Sequence, residues 1–231
     1  MEQPRQPRRE MRALGKEEAA RFLEALHGTE HEALFVLALA TGMRPGEYLG
    51  LGWKDVDLEK GTVTIQRTLV QIKGKWGLRT SVGTKERWSF GEPKTSRGRR
   101  TLPIPASVVD LLLQHRVHQL EQRLQVANVW EDHDLVFANE IGQPINRYNL
   151  VNRHFKPLVR KAGLAPTLRL YDLRHSAATL LLAAGIHPKV ASERLGHASI
   201  VMTLDTYSHV LPDMQKEASD KMEELLFGNH A

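Results

Sequence analysis

Helical periodicity dominates both ends of the chain, and a period of two appears only in the middle. Apolar side chains recur every three or four residues in the N-terminal part and again from Ser107 onward, which places them on one face of an α-helix. This pattern predicts helices over Glu17–His27, His31–Thr41, Gly46–Leu51, Ser107 to about Leu124, Arg147–Lys161, Asp172–Ala184, Pro188–Leu195, Ile200–Tyr207 and Asp213–Phe227.

The middle of the chain has the alternation of a half-buried β-sheet. Val63 and Ile65 alternate with polar residues over Thr62–Gln66, and a second extended stretch covers Leu69–Lys73. Residues 74–92 hold several glycines and predict a long hairpin loop or insertion. A further strand is predicted over Arg100–Ile104, at a sheet edge because it contains Pro103. A short extended piece follows at Leu135–Ala138, so the fold class is α+β, mainly helical with a small antiparallel sheet.

Composition narrows the class of protein. The 231 residues have 41% hydrophobic and 26% charged side chains, typical of a soluble globular protein. The absence of cysteine excludes disulfides and thiolate metal sites. The longest apolar run, around Ala33–Ala40, is too short for a membrane span, and the N-terminus lacks the apolar stretch of a signal peptide. We therefore expect a cytoplasmic protein.

The charge balance is basic and locally clustered. Lys plus Arg number 32 against 27 Asp plus Glu, for a net charge of +5. This excess is compatible with a polyanionic partner but does not establish one. The basic residues crowd two segments, Arg5, Arg8, Arg9 and Arg12 in the first, and Lys94, Arg97, Arg99 and Arg100 in the second. Each segment is either a solvated loop or a DNA-binding surface, with Arg97, Arg99 and Arg100 as the DNA-binding candidates.

Four short segments carry candidate chemistry. They are Thr41–Glu47 around Arg44, Glu92–Thr95 around Lys94, Tyr171–His175 around Arg174, and Leu195–Ser199 around His197 followed by Thr206–His209 around Tyr207. Gly42 can end one helix and Pro45 can open the next, so Arg44 is predicted in a tight turn. Each segment alone has an ordinary explanation as a surface charge or a packed ring.

Together and in this order, the four segments resemble the active site of the tyrosine recombinases, the phage-integrase family. The resemblance covers the chain from about Leu14 to about Leu226 and matches a helix–sheet–helix layout. It implies a site-specific recombinase that cleaves and rejoins DNA strands through a 3′-phosphotyrosine, as in the integration or excision of a mobile element. It also implies that the reaction needs no metal, cofactor or ATP.

The resemblance assigns a role to each matching residue. Arg44 and Arg174 would hold the non-bridging phosphate oxygens, because guanidinium binds phosphate in a bidentate way and keeps its charge. His197 would hydrogen-bond the scissile phosphate. Lys94 would protonate the departing 5′ oxygen, and Tyr207 would attack phosphorus.

Neighbouring residues are interpreted as supporting ones. Glu47 lies one turn after Arg44 and either orients that arginine or stabilises the helix N-terminus. Asp172 occupies an acidic position often seen in the motif, or is the N-cap of the following helix. His175 and His209 are interpreted as supporting or structural residues.

The sequence departs from the family in two places. Tyr171 stands where the family usually has histidine; a phenol can position a phosphate but is a poor proton shuttle near neutral pH. We favour Tyr207 over Tyr171 as nucleophile because Tyr207 follows Gly196 and His197. We also expect the N-terminal DNA-clamping domain of the family to be absent, with a lead-in over residues 1–13 and the catalytic domain over residues 14–231.

The resemblance also implies partners. Double-stranded DNA is the substrate, a homotetramer would form on two DNA sites, and a monomer is expected without DNA. Accessory DNA-bending or directionality proteins are further candidates, and residues 74–100 would deliver Lys94 to the DNA. The segment Asp213–Phe227 would dock either on a neighbouring subunit or on its own domain.

Other functions stay open at this point. A non-catalytic DNA-binding module would keep the fold, and a type IB topoisomerase would share the chemistry. His115 and His118 have the spacing of one helix face, but the sequence offers no third ligand, and we predict an exposed helix there.

Overall fold

The computed structural model describes residues 12–71, 88–93, 98–197, 199–207 and 214–228. Its helices are α1 (Lys16–Leu26), α2 (Glu32–Thr41), α3 (Pro45–Leu49), α4 (Ala106–Val126), α5 (Arg147–Asn149), a π-helix (Leu150–Phe155), α6 (Lys156–Lys161), α7 (Asp172–Ala183), α8 (Pro188–Leu195), α9 (Ile200–Tyr207) and α10 (Met214–Phe227). Its strands are β1 (Val56–Asp57), β2 (Thr62–Ile65), β3 (Thr68–Gln71), β4 (Trp88–Gly91) and β5 (Arg100–Pro103). The mainly helical α+β class is confirmed.

An aromatic cluster joins the N-terminal helices to the π-helix. Phe22 of α1, Phe35 of α2 and Phe155 are each fully buried. Their ring centroids lie 5.6 to 6.3 Å apart in tilted or edge-to-face pairs, the favoured geometry for aromatic rings. The apolar faces predicted from the sequence therefore meet in one core.

The strands form two antiparallel sheets rather than the single predicted one. The first has the order β1–β2–β5, with β5 at an edge as Pro103 predicted, and the second pairs β3 with β4. Strand β4 falls in the segment predicted as a loop, so that prediction was wrong for residues 88–91. Trp88 and Phe90 alternate there with the exposed Ser89, and the Arg67 guanidinium lies 4.1 Å from the Phe90 ring centroid. This short alternation was hidden by the surrounding glycines.

The predicted helix Arg147–Lys161 is interrupted by a π-helix. The Lys156 backbone N–H donates to the Val151 carbonyl, five residues earlier. Pro157 explains the wider turn, because proline has no N–H to donate and its ring crowds the carbonyl four residues earlier. The wider turn also brings Leu150 and Phe155, both fully buried, to the same face.

The prediction of an exposed face on α4 was right for His118 and wrong for His115. A ring nitrogen of His115 lies 2.7 Å from the Val136 carbonyl oxygen, and the ring packs 5.2 Å from Phe137. Burial lowers the pKa of His115, so its ring is neutral at pH 7. Within the described residues, none of the helices has the length and apolar character needed to cross a bilayer.

Candidate active site

The turn between α2 and α3 places Arg44. Gly42 ends α2 in the left-handed conformation, with a φ of 66°, and Arg44 is the N-cap of α3. A Cβ at Gly42 would come within 2.6 Å of the Leu195 side chain, so only glycine fits against the end of α8. The predicted helix-to-helix turn is confirmed, and it brings Arg44 beside Gly196, whose carbonyl accepts from the guanidinium at 3.3 Å.

A buried carboxylate holds two arginines at this turn. Glu47 is 1% exposed; it accepts from the Arg44 backbone N–H at 2.9 Å and guanidinium at 2.8 Å, and from Arg100 at 3.0 Å. Burial would raise the pKa of Glu47, but the charge and hydrogen bonds of Arg100 and Arg44 bring it below its usual value. The Glu47 carboxylate thus contacts both guanidinium groups and the backbone N–H of Arg44, the N-cap of α3.

Arg100 does not have the open position expected of a DNA-binding residue. Its side chain is 8% exposed, and it donates to Glu47, to the Arg194 carbonyl at 2.7 Å and to the Gly98 carbonyl at 3.1 Å. Its guanidinium is occupied by these hydrogen bonds, which join β5 to α3 and α8. Arg99, the next residue, points to solvent and pairs with Glu92 at 2.7 Å.

Arg174 projects from α7 into the same region. It is 2% exposed, and one terminal nitrogen donates to the Gly42 carbonyl at 2.8 Å. The other terminal nitrogen is buried and has no hydrogen-bond partner among the described residues. Burial, and then the Arg44 charge, lower the pKa of Arg174 to about 10, so it stays charged at neutral pH. A buried cation with an unused donor is suited to an anionic ligand.

His197 completes the cluster from the end of α8. Gly196 ends that helix in the left-handed conformation, with a φ of 65°, and His197 follows it directly. The His197 Nδ1 lies 2.8 Å from the hydroxyl of Thr203 in α9. Burial, and then Arg174 and Arg44, lower the pKa of His197 to about 4, so the ring is neutral at pH 7 and keeps Nε2 for another partner.

Tyr171 and His175 line a cleft of about 590 Å³ together with Arg147, Lys156 and Arg169. Tyr171 is 36% exposed, and its ring lies 5.3 Å from that of His175. Burial lowers the pKa of His175.

Asp172 is the first residue of α7 rather than its N-cap, which is Tyr171. Its buried carboxylate accepts from the Arg169 backbone N–H at 2.8 Å and from the Arg169 guanidinium, also at 2.8 Å. The N-cap alternative for Asp172 was therefore wrong. The carboxylate instead closes the turn that leads into α7.

Three candidate residues, Lys94, Arg97 and His209, lie outside the described residues. Tyr207 is the last residue of α9, and its side chain lies outside the described part. Among the described candidates, the structure brings together Arg44, Glu47, Arg174 and His197.

Two supporting residues were missed from the sequence. Thr203 is fully buried although it is polar, and it holds His197. Arg194 donates to the Ala40 and Pro103 carbonyls at 3.0 and 3.1 Å, and so ties α8 to α2 and β5. Thr203 follows His197 by six residues in a helical pattern, and this spacing only weakly indicates a contact between the two side chains. No sequence pattern indicates that Arg194 binds carbonyls more than 90 residues away.

Two arginines and a neutral histidine therefore converge from three segments on one small region, an arrangement that can hold a phosphate.

The sequence profile of the phage integrase family matches residues 12–214. This chain belongs to the phage integrase family. It is 34% identical over 220 residues to a tyrosine recombinase XerC-like protein of Caldanaerobacter subterraneus subsp. tengcongensis, covering 94% of this chain and 55% of that protein. It is 28% identical over 221 residues to the ICEBs1 integrase of Bacillus subtilis, covering 95% and 56%. The chain thus spans about half the length of these relatives.

Solved structures show the same fold. The Tn1549 transposon integrase in complex with transposon right end DNA superposes with a TM-score of 0.73 at 23% identity, covering 96% of this chain and 68% of that one. The catalytic domain of bacteriophage HP1 integrase gives a TM-score of 0.54 at 19% identity, covering 96% and 99%. The XerH site-specific recombinase bound to palindromic difH substrate gives 0.59 at 26% identity, covering 92% and 54%.

Proposed function

We propose that this chain is the catalytic domain of a site-specific DNA recombinase that cleaves and rejoins strands through a 3′-phosphotyrosine. The observation that carries the proposal is the unused, buried donor of Arg174 beside Arg44 and the neutral His197. An attacked phosphodiester gathers negative charge on its non-bridging oxygens, and fixed donors stabilise that charge without reorganisation. Losing one such donor costs roughly 100-fold or more in rate.

The proposed reaction is an in-line displacement at phosphorus. The Tyr207 oxygen loses its proton to solvent and forms the new bond to phosphorus while the bond to the 5′ oxygen breaks, and Lys94 gives its proton to that 5′ oxygen. Arg44, Arg174 and His197 hold the non-bridging oxygens. Attack by the freed 5′ hydroxyl of a second strand reverses the same steps, so the energy of the ester is kept and no ATP is consumed.

The proposed partners follow from the family. Double-stranded DNA is the substrate, and the Tn1549 integrase and XerH were solved with DNA bound. A homotetramer on two DNA sites, a monomer without DNA, and accessory bending or directionality proteins belong to the same proposal. Exposed apolar side chains on α10 support docking of that helix on another surface, in cis or in trans; they are Met222, Leu225, Leu226 and Phe227.

Covalent trapping tests the proposal. The protein is incubated with a nicked suicide substrate built from candidate element ends, without metal or ATP, and then denatured. We expect a denaturant-resistant protein–DNA adduct in wild type, mapped to Tyr207 and absent in Tyr207→Phe, which should still bind DNA. Tyr148→Phe is the matched control, since that side chain is 75% exposed on α5.

An adduct that persists in Tyr207→Phe, or one that is lost in Tyr171→Phe and maps there, would contradict the assignment of the nucleophile. DNA binding without any adduct, in this chain and in a longer version of it, would favour the non-catalytic module. Relaxation of supercoiled DNA without site preference would favour a topoisomerase.

A DNA substrate with a changed leaving group tests the role of Lys94. Lys94→Ala should slow cleavage of ordinary DNA by roughly 100-fold or more, within the range of a lost general acid. Replacing the 5′ oxygen with sulfur should recover most of the rate, because a thiolate leaves without protonation. Equal defects on both substrates would remove Lys94 from that role.

A further inference from the structure

Two histidines and a glutamate form a cluster that the proposed strand transfer does not use. Glu30 and His31 lie in the turn before α2, and His154 lies in the π-helix. One ligand atom from each side chain, a carboxylate oxygen or a ring nitrogen, lies within 4.8 Å of the other two. Residues more than 120 positions apart thus present three metal-ligating groups to one point.

The two imidazoles are fixed by the aromatic core. The His31 ring lies 4.2 Å from the His154 ring, and it meets Phe35 at 6.2 Å and nearly at a right angle. Phe155, which follows His154, is fully buried and packs 5.6 Å from Phe35. The π-helix that Pro157 imposes therefore determines where His154 points, and π-helices are frequent at functional sites.

The donor set selects a class of metal. Two imidazole nitrogens and one carboxylate oxygen suit Zn²⁺ and neighbouring first-row transition metals, whereas Mg²⁺ and Ca²⁺ prefer oxygen ligands. A tetrahedral site with bonds of about 2.1 Å needs its ligand atoms roughly 3.4 Å apart. The ligand atoms now lie within 4.8 Å of one another, so ion binding requires them to approach, and the exposed Glu30 side chain has room to move.

We propose that Glu30, His31 and His154 bind one Zn²⁺ ion or a similar transition-metal ion, with water in the fourth position. The ion would tie the α1–α2 turn to the π-helix and stabilise the N-terminal half of the fold. It would take no part in strand cleavage, so its test does not depend on the proposed function.

Metal titration of the whole chain tests this site. Tag-free, chelator-stripped protein is titrated with ZnCl₂ by calorimetry, and its thermal midpoint is followed. We expect one equivalent bound and a midpoint raised by about 5–10 °C at 100-fold excess over Kd. Glu30→Gln and His154→Gln should weaken binding at least tenfold, whereas MgCl₂ should give no shift.

The matched control is His118→Gln. His118 lies 3.9 Å from Glu121 on the exposed face of α4, a histidine–carboxylate pair that has no third ligand among the described residues. This variant should bind Zn²⁺ as wild type does. Glu30 is exposed, so Glu30→Gln keeps the fold, and circular dichroism checks His154→Gln. Wild-type affinity in both of those variants, or the same loss in His118→Gln, would overturn the proposal and leave the histidines as a packed pair.

Discussion

At the residue scale, Glu47 is the residue that holds two arginines of the candidate site in place. Its carboxylate serves Arg44, a proposed phosphate ligand, and Arg100, an arginine of the neighbouring strand whose side chain is 8% exposed. A buried ion pair is costly to form, yet removing one partner leaves the other charge uncompensated. The position of the Arg44 guanidinium therefore depends on the Glu47 carboxylate, to which we assign no contact with DNA.

Glu47→Gln should lower the free energy of unfolding by about 3–5 kcal/mol, because Arg100 loses its counter-ion while the side-chain volume is kept. Urea unfolding measures this loss. Glu92→Gln is the control, since its carboxylate is 82% exposed and pairs with the exposed Arg99, so its unfolding midpoint should stay that of wild type. Equal midpoints for the two variants would contradict the central place of Glu47.

Sequence reasoning identified Arg44, Arg174 and His197 because order and spacing along the chain are preserved in a motif. It missed Thr203, and it placed Arg100 on the surface, because hydrogen bonds between distant segments leave no local pattern. A basic cluster such as Arg97–Arg100 is the same in sequence whether its members face DNA or a buried carboxylate.

At the element scale, the junction of α2, α7 and α8 rests on Gly42. The residue has a positive φ, its carbonyl accepts from Arg174, and a Cβ added to it would lie 2.6 Å from the Leu195 side chain at the end of α8. The three helices thus meet at Gly42, a position that has no room for a side chain.

Gly42→Ala should destabilise the protein by about 2–4 kcal/mol, which combines left-handed strain with a clash against Leu195. Gly163→Ala provides the comparison, because Gly163 has a φ of 63° but open space around its Cβ position. That variant should show only the strain, about 1 kcal/mol. Thermal unfolding of both separates the two effects, and an equal loss would argue against the close packing at Gly42.

Helix positions followed well from periodicity, and the failures have physical causes. The π-helix was not predicted because its apolar residues also satisfy a helical period, and only Pro157 marked the change. Strand β4 was missed because four residues are too few to establish alternation beside glycines.

At the scale of the whole molecule, partly buried neutral histidines make the free energy of unfolding depend on pH. His197 has a pKa of about 4, below its usual 6.5, through burial and the charges of Arg174, Arg44 and Arg100, with a further contribution from His175. Between those two pH values the unfolded chain binds the proton and the folded chain does not. Stability therefore falls as the pH drops through this window. The lowered pKa of the partly buried His115 acts in the same direction.

The free energy of unfolding should decrease as the pH is lowered from 7 to 4.5, and His197→Gln should remove about 1 kcal/mol of that decrease after allowance for solvent screening of a half-exposed ring. Urea titrations at several pH values measure the slope. A slope unchanged by His197→Gln would show that this ring has the same pKa in the folded and the unfolded chain.

The bond between Glu47 and Arg100 also constrains how this sequence can diverge. A mutation at only one of the two positions leaves the other charge buried without a partner. An evolving sequence must therefore pass through a destabilised protein or change both positions nearly together. Homologous chains should therefore vary at positions 47 and 100 as a correlated pair, even though one lies in a helix and the other in a strand 53 residues later.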